Sequence, residues 1–317
     1  MNLTRTASAT ALIVALLGSA AATVAWKGAA AEPGTGELRL AQPGTLLVVD
    51  AKGTRVHQKT REGGEIGTGP DCRRAAVAAG TLVCLHSLPG PFSSEVRVYR
   101  PGRTGPEVTL PVWGTPSRAR VSPTGHLVAW TVFRSGDSYA AAGQFSTTAG
   151  IYDLRSGDHY GSLEDFTVLL DGERAQTEDA NFWGITFAAD DRTFYATMSR
   201  NGTAHLMRGD LTTRELTALR TNVECPSLSP DETRIAYKKR VGADWRLHVL
   251  DLRTGQDTPL AAPAGIDDQA AWLDDTTVAY GRTDQGGPFV YAVPADGSGQ
   301  PVRLTAGSSP TVTTSVR

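Results

Sequence analysis

Cysteine is scarce. Three residues in 317, Cys72, Cys84 and Cys225, are too few for a disulfide-stapled scaffold, and none of them forms a CxxC pair. Lysine is rarer than arginine, five against 26, and no block of basic residues exists. With a net charge of −2, the chain lacks the electrostatic footprint of a nucleic-acid binder. The six histidines (His57, His86, His126, His159, His205, His248) are scattered, with no HExxH and no pair at ligand spacing. The sequence therefore predicts no metal and no cofactor. Beyond Lys27, no stretch carries apolar residues at helical spacing, which excludes helical and α/β architectures.

What is present begins with an address. Ala7 to Trp26 runs twenty residues without a charge, after Arg5 and before Lys27, and Ala29-Ala30-Ala31 precede Glu32. This pattern predicts a secretory signal peptide over residues 1–31, cut after Ala31. A run of about twenty residues also suffices for an uncleaved anchor, but its Ala, Gly, Ser and Thr make it weakly apolar and favour cleavage. Either way residues 32–317 are expected outside the cytoplasm as one domain, in contact with the membrane only through the N-terminal segment. Cleavage removes Arg5 and Lys27 and shifts the net charge from −2 to −4. In an oxidising compartment Cys72 and Cys84, which flank a hairpin turn, are the expected disulfide pair. The alternative is that Cys84, within LVCLH, is a small buried residue.

The rest of the chain repeats itself. The segment LSPDETRIAYKKRVGADWRLHVLDLRTGQDTPLA, from Leu228, reads as strand, turn, strand, loop, strand, turn, strand. The same order recurs after Val77, Val121, Phe187 and Trp272, at gaps of 44, 66, 41 and 44 residues, the long gap holding an insertion around 134–180. Within the second strands, Val83-Cys84-Leu85, Val128-Ala129-Trp130, Ile235-Ala236-Tyr237 and Val278-Ala279-Tyr280 align as apolar, small, large. Alternation with period two marks strands, and Gly, Pro, Asp and Asn between them mark turns. Four short strands every forty-odd residues is the period of a β-propeller blade. Five blades are complete. Residues 36–60 supply three strands without a first, and SSPTVTTSVR at the C-terminus supplies a first strand alone. Val312 lies 40 residues past Trp272, in register. The fold expected is all-β: a six-bladed propeller of four-stranded antiparallel blades, closed by the C-terminal strand pairing with the N-terminal blade.

Ser229-Pro230-Asp231, Ile235-Ala236-Tyr237, Leu250-Asp251-Leu252 and Thr254-Gly255 resemble the repeat of TolB-like six-bladed propellers, and Ser122-Pro123 with Val128-Ala129-Trp130 repeats it less fully. The signal segment, NFWGITFAADDRTFYAT, VECPSLSPDETRIAYKKR and AVPADGSG are together similar to secreted TolB-like proteins of actinobacteria, a group without an assigned activity. The resemblance spans about residues 36–317 and implies a propeller; it implies no reaction. The separate N-terminal domain of the TolB of Gram-negative bacteria and an α/β-hydrolase domain are both missing from the pattern. Neither a Tol–Pal role nor peptidase activity is therefore carried over.

Candidate chemistry is thin. Gly136-Asp137-Ser138-Tyr139 looks like the start of a GDS hydrolase motif, but a nucleophilic Ser needs a strand-to-helix elbow and a triad, and here it lies in a loop. The paired acids Asp190-Asp191, Asp231-Glu232 and Asp274-Asp275 recur in the turn after each first strand, where Asp caps backbone N–H groups. The variable segments are the connections between blades and the loops between second and third strands, which share one mouth of a propeller channel. They bring Arg73, Arg118, Glu178, Asp179, Trp183, Glu224, Lys239, Asp267 and Asp268 to that mouth as candidate binding residues. Lys238-Lys239-Arg240 is placed on the rim loop of the fifth repeat. The expected function is a monomeric, non-enzymatic binding or interaction module of the cell envelope, with a protein or glycan ligand. The alternative is a hydrolase or lyase of envelope glycan using Glu178, Glu224 or Asp268, which requires two carboxylates about 5–10 Å apart.

Overall fold

The computed structural model describes residues 38–135 and 145–315; the expected signal segment, the GDS stretch at 136–138 and most of its loop lie outside them. Strands alternate with turns throughout, and they form six sheets among these residues. The first blade is Ser308–Val312, Leu46–Val49, Arg55–Lys59 and Glu65–Asp71, in order from the axis outward. The second is Arg74–Ala78, Thr81–Ser87, Ser93–Tyr99 and Val108–Trp113. The third is Thr115–Val121, Leu127–Ser135, Ser146–Asp153 and the short His159–Tyr160. The fourth begins Asn181–Phe187, Thr193–Arg200, Thr203–Asp210 and Glu215–Thr221. The fifth is Glu224–Leu228, Arg234–Val241, Asp244–Asp251 and Asp257–Pro259; the sixth is Ala271–Asp274, Thr277–Asp284, Gly287–Pro294 and Val302–Ala306.

The ring closes as the repeat implies. Leu46 pairs with Val312 and Leu47 with Thr311, so the last strand is the innermost strand of the first blade. Closure covers the inner edge of Leu46–Val49, which would otherwise be open to association. The insertion before the fourth blade has a use that its sequence did not disclose. Thr167–Leu170 runs parallel to the outer strand of the fourth blade, opposite Glu215–Thr217, and Glu173–Arg174 folds back on it. The fourth blade thus has six strands, and Phe166 and Val168 join the core between the third and fourth blades.

Burial explains the apolar–small–large pattern. Successive residues of a strand point to opposite faces, so each blade packs against both neighbours. Val128 and Trp130 face the second blade while Ala129 faces the fourth; Ile235 and Tyr237 face the fourth while Ala236 faces the sixth. The second blade departs from the sequence alignment. Its first turn is the tight Ala79-Gly80 pair, with φ of 45° and 78°, and Val77 sits opposite Leu82. In the other blades Val121 pairs with Val128, Leu228 with Ile235 and Trp272 with Val278. The equivalent of Val128 is therefore Leu82, one residue earlier than Val83, and a slip of one reverses every face. Cys84 takes the place of Trp130 and Tyr237 and faces the first blade, where it is bonded to Cys72.

The recurrent acids divide their work. Asp190, Asp231 and Asp274 accept backbone N–H groups of Thr193, Thr233 and Thr276 at 2.7, 3.1 and 3.0 Å, as turn caps. The residues beside them reach the adjacent blade. Asp191 accepts from Thr124 Oγ1, is 2.9 Å from His126 Nδ1 and pairs with Arg155 at 3.3 Å, all on the third blade. Glu232 accepts Ala189 N at 2.6 Å, and the Asp275 carbonyl accepts Arg234 Nη2 at 2.6 Å. Arg61 donates to Asp274 at 2.9 Å, Ala79 N to Thr314 Oγ1 at 3.1 Å, and Thr81 Oγ1 to the Gly125 carbonyl at 2.9 Å. Every neighbouring pair of blades is thus latched on this face. Asp191→Ala leaves the Thr124 hydroxyl, the His126 ring and the Arg155 guanidinium without their shared acceptor. Urea unfolding should show a loss of about 1–3 kcal/mol; a change within 0.5 kcal/mol, the range of an ordinary surface substitution, would count against the latch.

Candidate functional site

Around the axis the six inner strands lie side by side and enclose the channel. At the mouth formed by the connections between blades, Asp267 is held by residues of the third and fifth blades. Arg118 Nη2, from the third blade, donates to the Asp267 carbonyl at 2.6 Å and lies 3.4 Å from Oδ1. Lys238 Nζ, from the fifth, donates to the same carbonyl at 2.9 Å and to Oδ1 at 3.0 Å. Burial by itself would raise the Asp267 pKa, but the charges of Lys238 and Arg118, the bond from Lys238 and the charge of Arg74 hold the carboxyl well below the usual carboxylate range. Lys238 is fully buried, with its ammonium 4.1 Å from the Trp245 ring centre. Trp245 in turn donates Nε1 to Glu224 at 2.8 Å.

Beside this cluster, Asp268 accepts Ser309 N at 2.7 Å and Gln269 N at 3.0 Å. The space left here is 20 Å³, enough for a water molecule and no more. The channel is therefore filled at the mouth that the loop residues indicated.

The opposite mouth is different. Between the inner strands and their first turns lies a pit of 390 Å³. All six blades line it, with Val77, Val121, Phe187, Leu228, Trp272 and Val312 supplying apolar wall. Arg120 lies at the waist of the channel and lines both the pit and the small upper cavity. Its Nη2 donates to the Ala270 carbonyl at 3.2 Å, and its Nε is buried without a partner. Burial pushes its pKa down to about 10, opposed by the charge of Asp268 and reinforced by Arg118.

The residues singled out from the sequence are distributed among several places. Arg118, Asp267 and Asp268 meet in the channel. Asp179, Trp183 and Glu224 line a groove of 860 Å³ over the fourth and fifth blades, where Asp179 pairs with Arg200 at 3.2 Å. Trp183 is 2% exposed and belongs to a cluster with Phe133, Cys225 and Trp245, its ring edge-on to Phe145 at 5.4 Å. Glu178 lines a neighbouring cavity of 420 Å³ with Asp179 and Glu164. Arg73 is exposed and donates to the Gly53 carbonyl at 2.9 Å. Lys238-Lys239-Arg240 is not a loop: all three lie in the strand Arg234–Val241, because the turn follows only at Gly242. Lys239 pairs with Asp257, which also accepts Tyr237 Oη at 2.9 Å and lies 2.8 Å from His248 Nδ1. The carboxylates of the glycan-cleaving alternative do not converge: Glu178, Glu224 and Asp268 line three different cavities.

Arg120 and the pit were missed in the sequence because their residues read as strand interior and turn. The one available signal was an arginine where the repeat calls for an inward-facing strand residue.

These features define a six-bladed propeller of TolB-like fold, with a channel filled by ion pairs at one mouth and hollow at the other. No protein-family model matches the sequence, and neither does any curated protein. Among solved structures it is similar to TolB from Acinetobacter baumannii, with a TM-score of 0.62 and 15% identity over 85% of this chain. The chain spans 66% of that protein's length. It is also similar to a chain of Kuenenia stuttgartiensis hydrazine synthase, with a TM-score of 0.50 and 13% identity over 90% of each chain. At these identities the likeness establishes the fold alone. Proteins with such different names share it, so the fold carries no activity.

Proposed function

We propose that this protein is an extracytoplasmic, non-enzymatic binding module of the cell envelope that takes its ligand into the hollow mouth of its channel. The observation that carries the reading is the 390 Å³ pit, lined by all six blades with a large apolar side chain from each in its wall. A concave, largely preformed, apolar cavity with a few polar groups is the usual form of a ligand site. The Cys72–Cys84 bond and the TolB-like fold support a location outside the cytoplasm, where disulfides persist. The wall of Val77, Val121, Phe187, Leu228, Trp272 and Val312 suits an apolar side chain or chain end of an envelope protein. The scattered carboxylates favour binding over glycan cleavage.

Ala271 tests this directly. It lines the pit and belongs to none of the cores between blades, so a larger side chain there fills the pit. Ala271→Phe in the full-length protein should reduce capture of its envelope partners more than tenfold, with the melting temperature checked by circular dichroism. Asp179→Ala with Arg200→Ala, in the other groove, should leave capture unchanged. Retention of the same partners by Ala271→Phe would overturn the assignment to the pit.

A further inference from the structure

We infer that the pit binds a carboxylate, with Arg120 as its anchor and a compact apolar acid, either free or at the end of a peptide, as its ligand. The inference rests on the reading of the pit as a binding site and adds the ligand's chemistry.

Arg120 has donors to spare. A guanidinium carries five N–H groups in a planar fork. Arg120 makes one hydrogen bond, from Nη2 to Ala270; its Nε is buried, so its terminal N–H groups are the donors a ligand in the pit would meet. The charge of Asp268 acts on Arg120 from a distance, but no carboxylate is hydrogen-bonded to the guanidinium. The carboxylates nearby are engaged elsewhere. Asp267 is held by Arg118 and Lys238, Asp268 by the N–H groups of Ser309 and Gln269, and Glu224 by Trp245. At the rim, Asp274 is taken by Arg61 and Glu232 by Ala189 N.

Charge then favours a monoanion. Among the charged residues lining the pit, Arg61 is paired with Asp274 and Glu232 accepts Ala189 N, which leaves Arg120 as the cation with no carboxylate bonded to it. A monoanion brings less charge against Phe187, Leu228 and Trp272 than a phosphate dianion would. A carboxylate also fits the guanidinium fork with two parallel hydrogen bonds. The apolar wall beyond Arg120 receives the rest of the molecule, and a 390 Å³ space is of the size that holds small ligands.

Calorimetric titration of the full-length protein with benzoate and with benzamide, its uncharged isostere, tests the inference. Benzoate should bind at least tenfold more tightly. Arg120→Met should bring benzoate to the level of benzamide, and Arg120→Lys should keep part of the difference. Removing a poorly compensated cation should not lower the melting temperature. Should Arg120→Met fail to fold, the benzoate–benzamide difference in the unmutated protein decides alone. A hexapeptide ending in Phe, with a free or amidated C-terminus, separates the two sources. Tighter binding of the free-acid peptide than of benzoate assigns the site to a chain end, and weaker binding assigns it to a small acid. Equal affinity for benzoate and benzamide, or unchanged benzoate affinity in Arg120→Met, overturns the inference. If that occurs while Ala271→Phe still loses its partners, the pit remains a binding site with a different anchor. If benzoate binds through Arg120 while Ala271→Phe keeps its partners, the acid site stands and the partner reading falls.

Discussion

Deleting residues 308–317 should abolish the cooperative fold. The segment is small, but it is the inner strand of a blade. Without it Leu46 and Leu47, both essentially inaccessible, lose their backbone partners Val312 and Thr311 and become an exposed edge. Thr313 Oγ1 bonds Thr45 N at 2.9 Å and lies 2.7 Å from Thr45 Oγ1, and Thr311 Oγ1 accepts Val77 N at 3.2 Å from the second blade. The sixth and second blades lose the strand that lies between their inner strands. Each large apolar side chain brought into water costs about 1.5–3 kcal/mol, and an unmade buried hydrogen bond about 1–3 kcal/mol. A few of each exceed the roughly 5–15 kcal/mol that holds a domain together. Thermal unfolding followed by circular dichroism should show no native transition. A truncated protein that melts at the same temperature as the full chain would refute closure by this strand.

Loss of the Asp267 carboxylate should be the most damaging single substitution in the channel. Asp267→Ala leaves Lys238 and Arg118, both buried, facing each other without the acid between them. Breaking a buried pair costs about 3–5 kcal/mol. The Asp267 side chain is 54% exposed, so water will solvate part of the remaining charge, and a loss of about 2–3 kcal/mol is expected. Adding Lys238→Met should restore part of it, and the double-mutant cycle gives the coupling. The pH dependence has a definite sign. Asp267 has a lowered pKa in the folded state, so its contribution is complete above the unfolded value of about 3.9 and declines as pH falls through that value toward the folded one. Urea midpoints should therefore drop less between pH 5 and pH 3 in Asp267→Ala than in the unmutated protein. Equal acid sensitivity would show that the pair contributes nothing.

How much was legible in the sequence depended on whether a feature was local and repeated. Ser229-Pro230-Asp231 and its counterparts are turns whose chemistry lies within five residues, as the bonds that Asp231 accepts from Ser229 and Thr233 show. Repetition of such turns, with strands of period two between them, is enough to specify blade number and closure. The register of the second blade was harder, because its shorter first turn makes Leu82, not Val83, the equivalent of Val128, and a slip of one residue reverses the faces. The channel was harder still. Arg118, Lys238 and Asp267 are far apart in sequence and meet only because the ring brings the third and fifth blades to one axis. Trp183 and Glu224, read from the sequence as ligand contacts, are largely buried in packing around Trp245.

By itself, then, the sequence determined the six-bladed ring and its closure, because strand period, turn chemistry and repeat length are properties of short segments. Only the tertiary structure decided which mouth is hollow. That outcome depends on where long side chains end in space: Lys238 and Arg118 reach Asp267 and fill one mouth, whereas the small and apolar residues near Ala271 leave the other open beneath Arg120. No pattern along the chain encodes that difference, since Arg118, Lys238 and Asp267 lie on an inner strand, a second strand and a connection between blades.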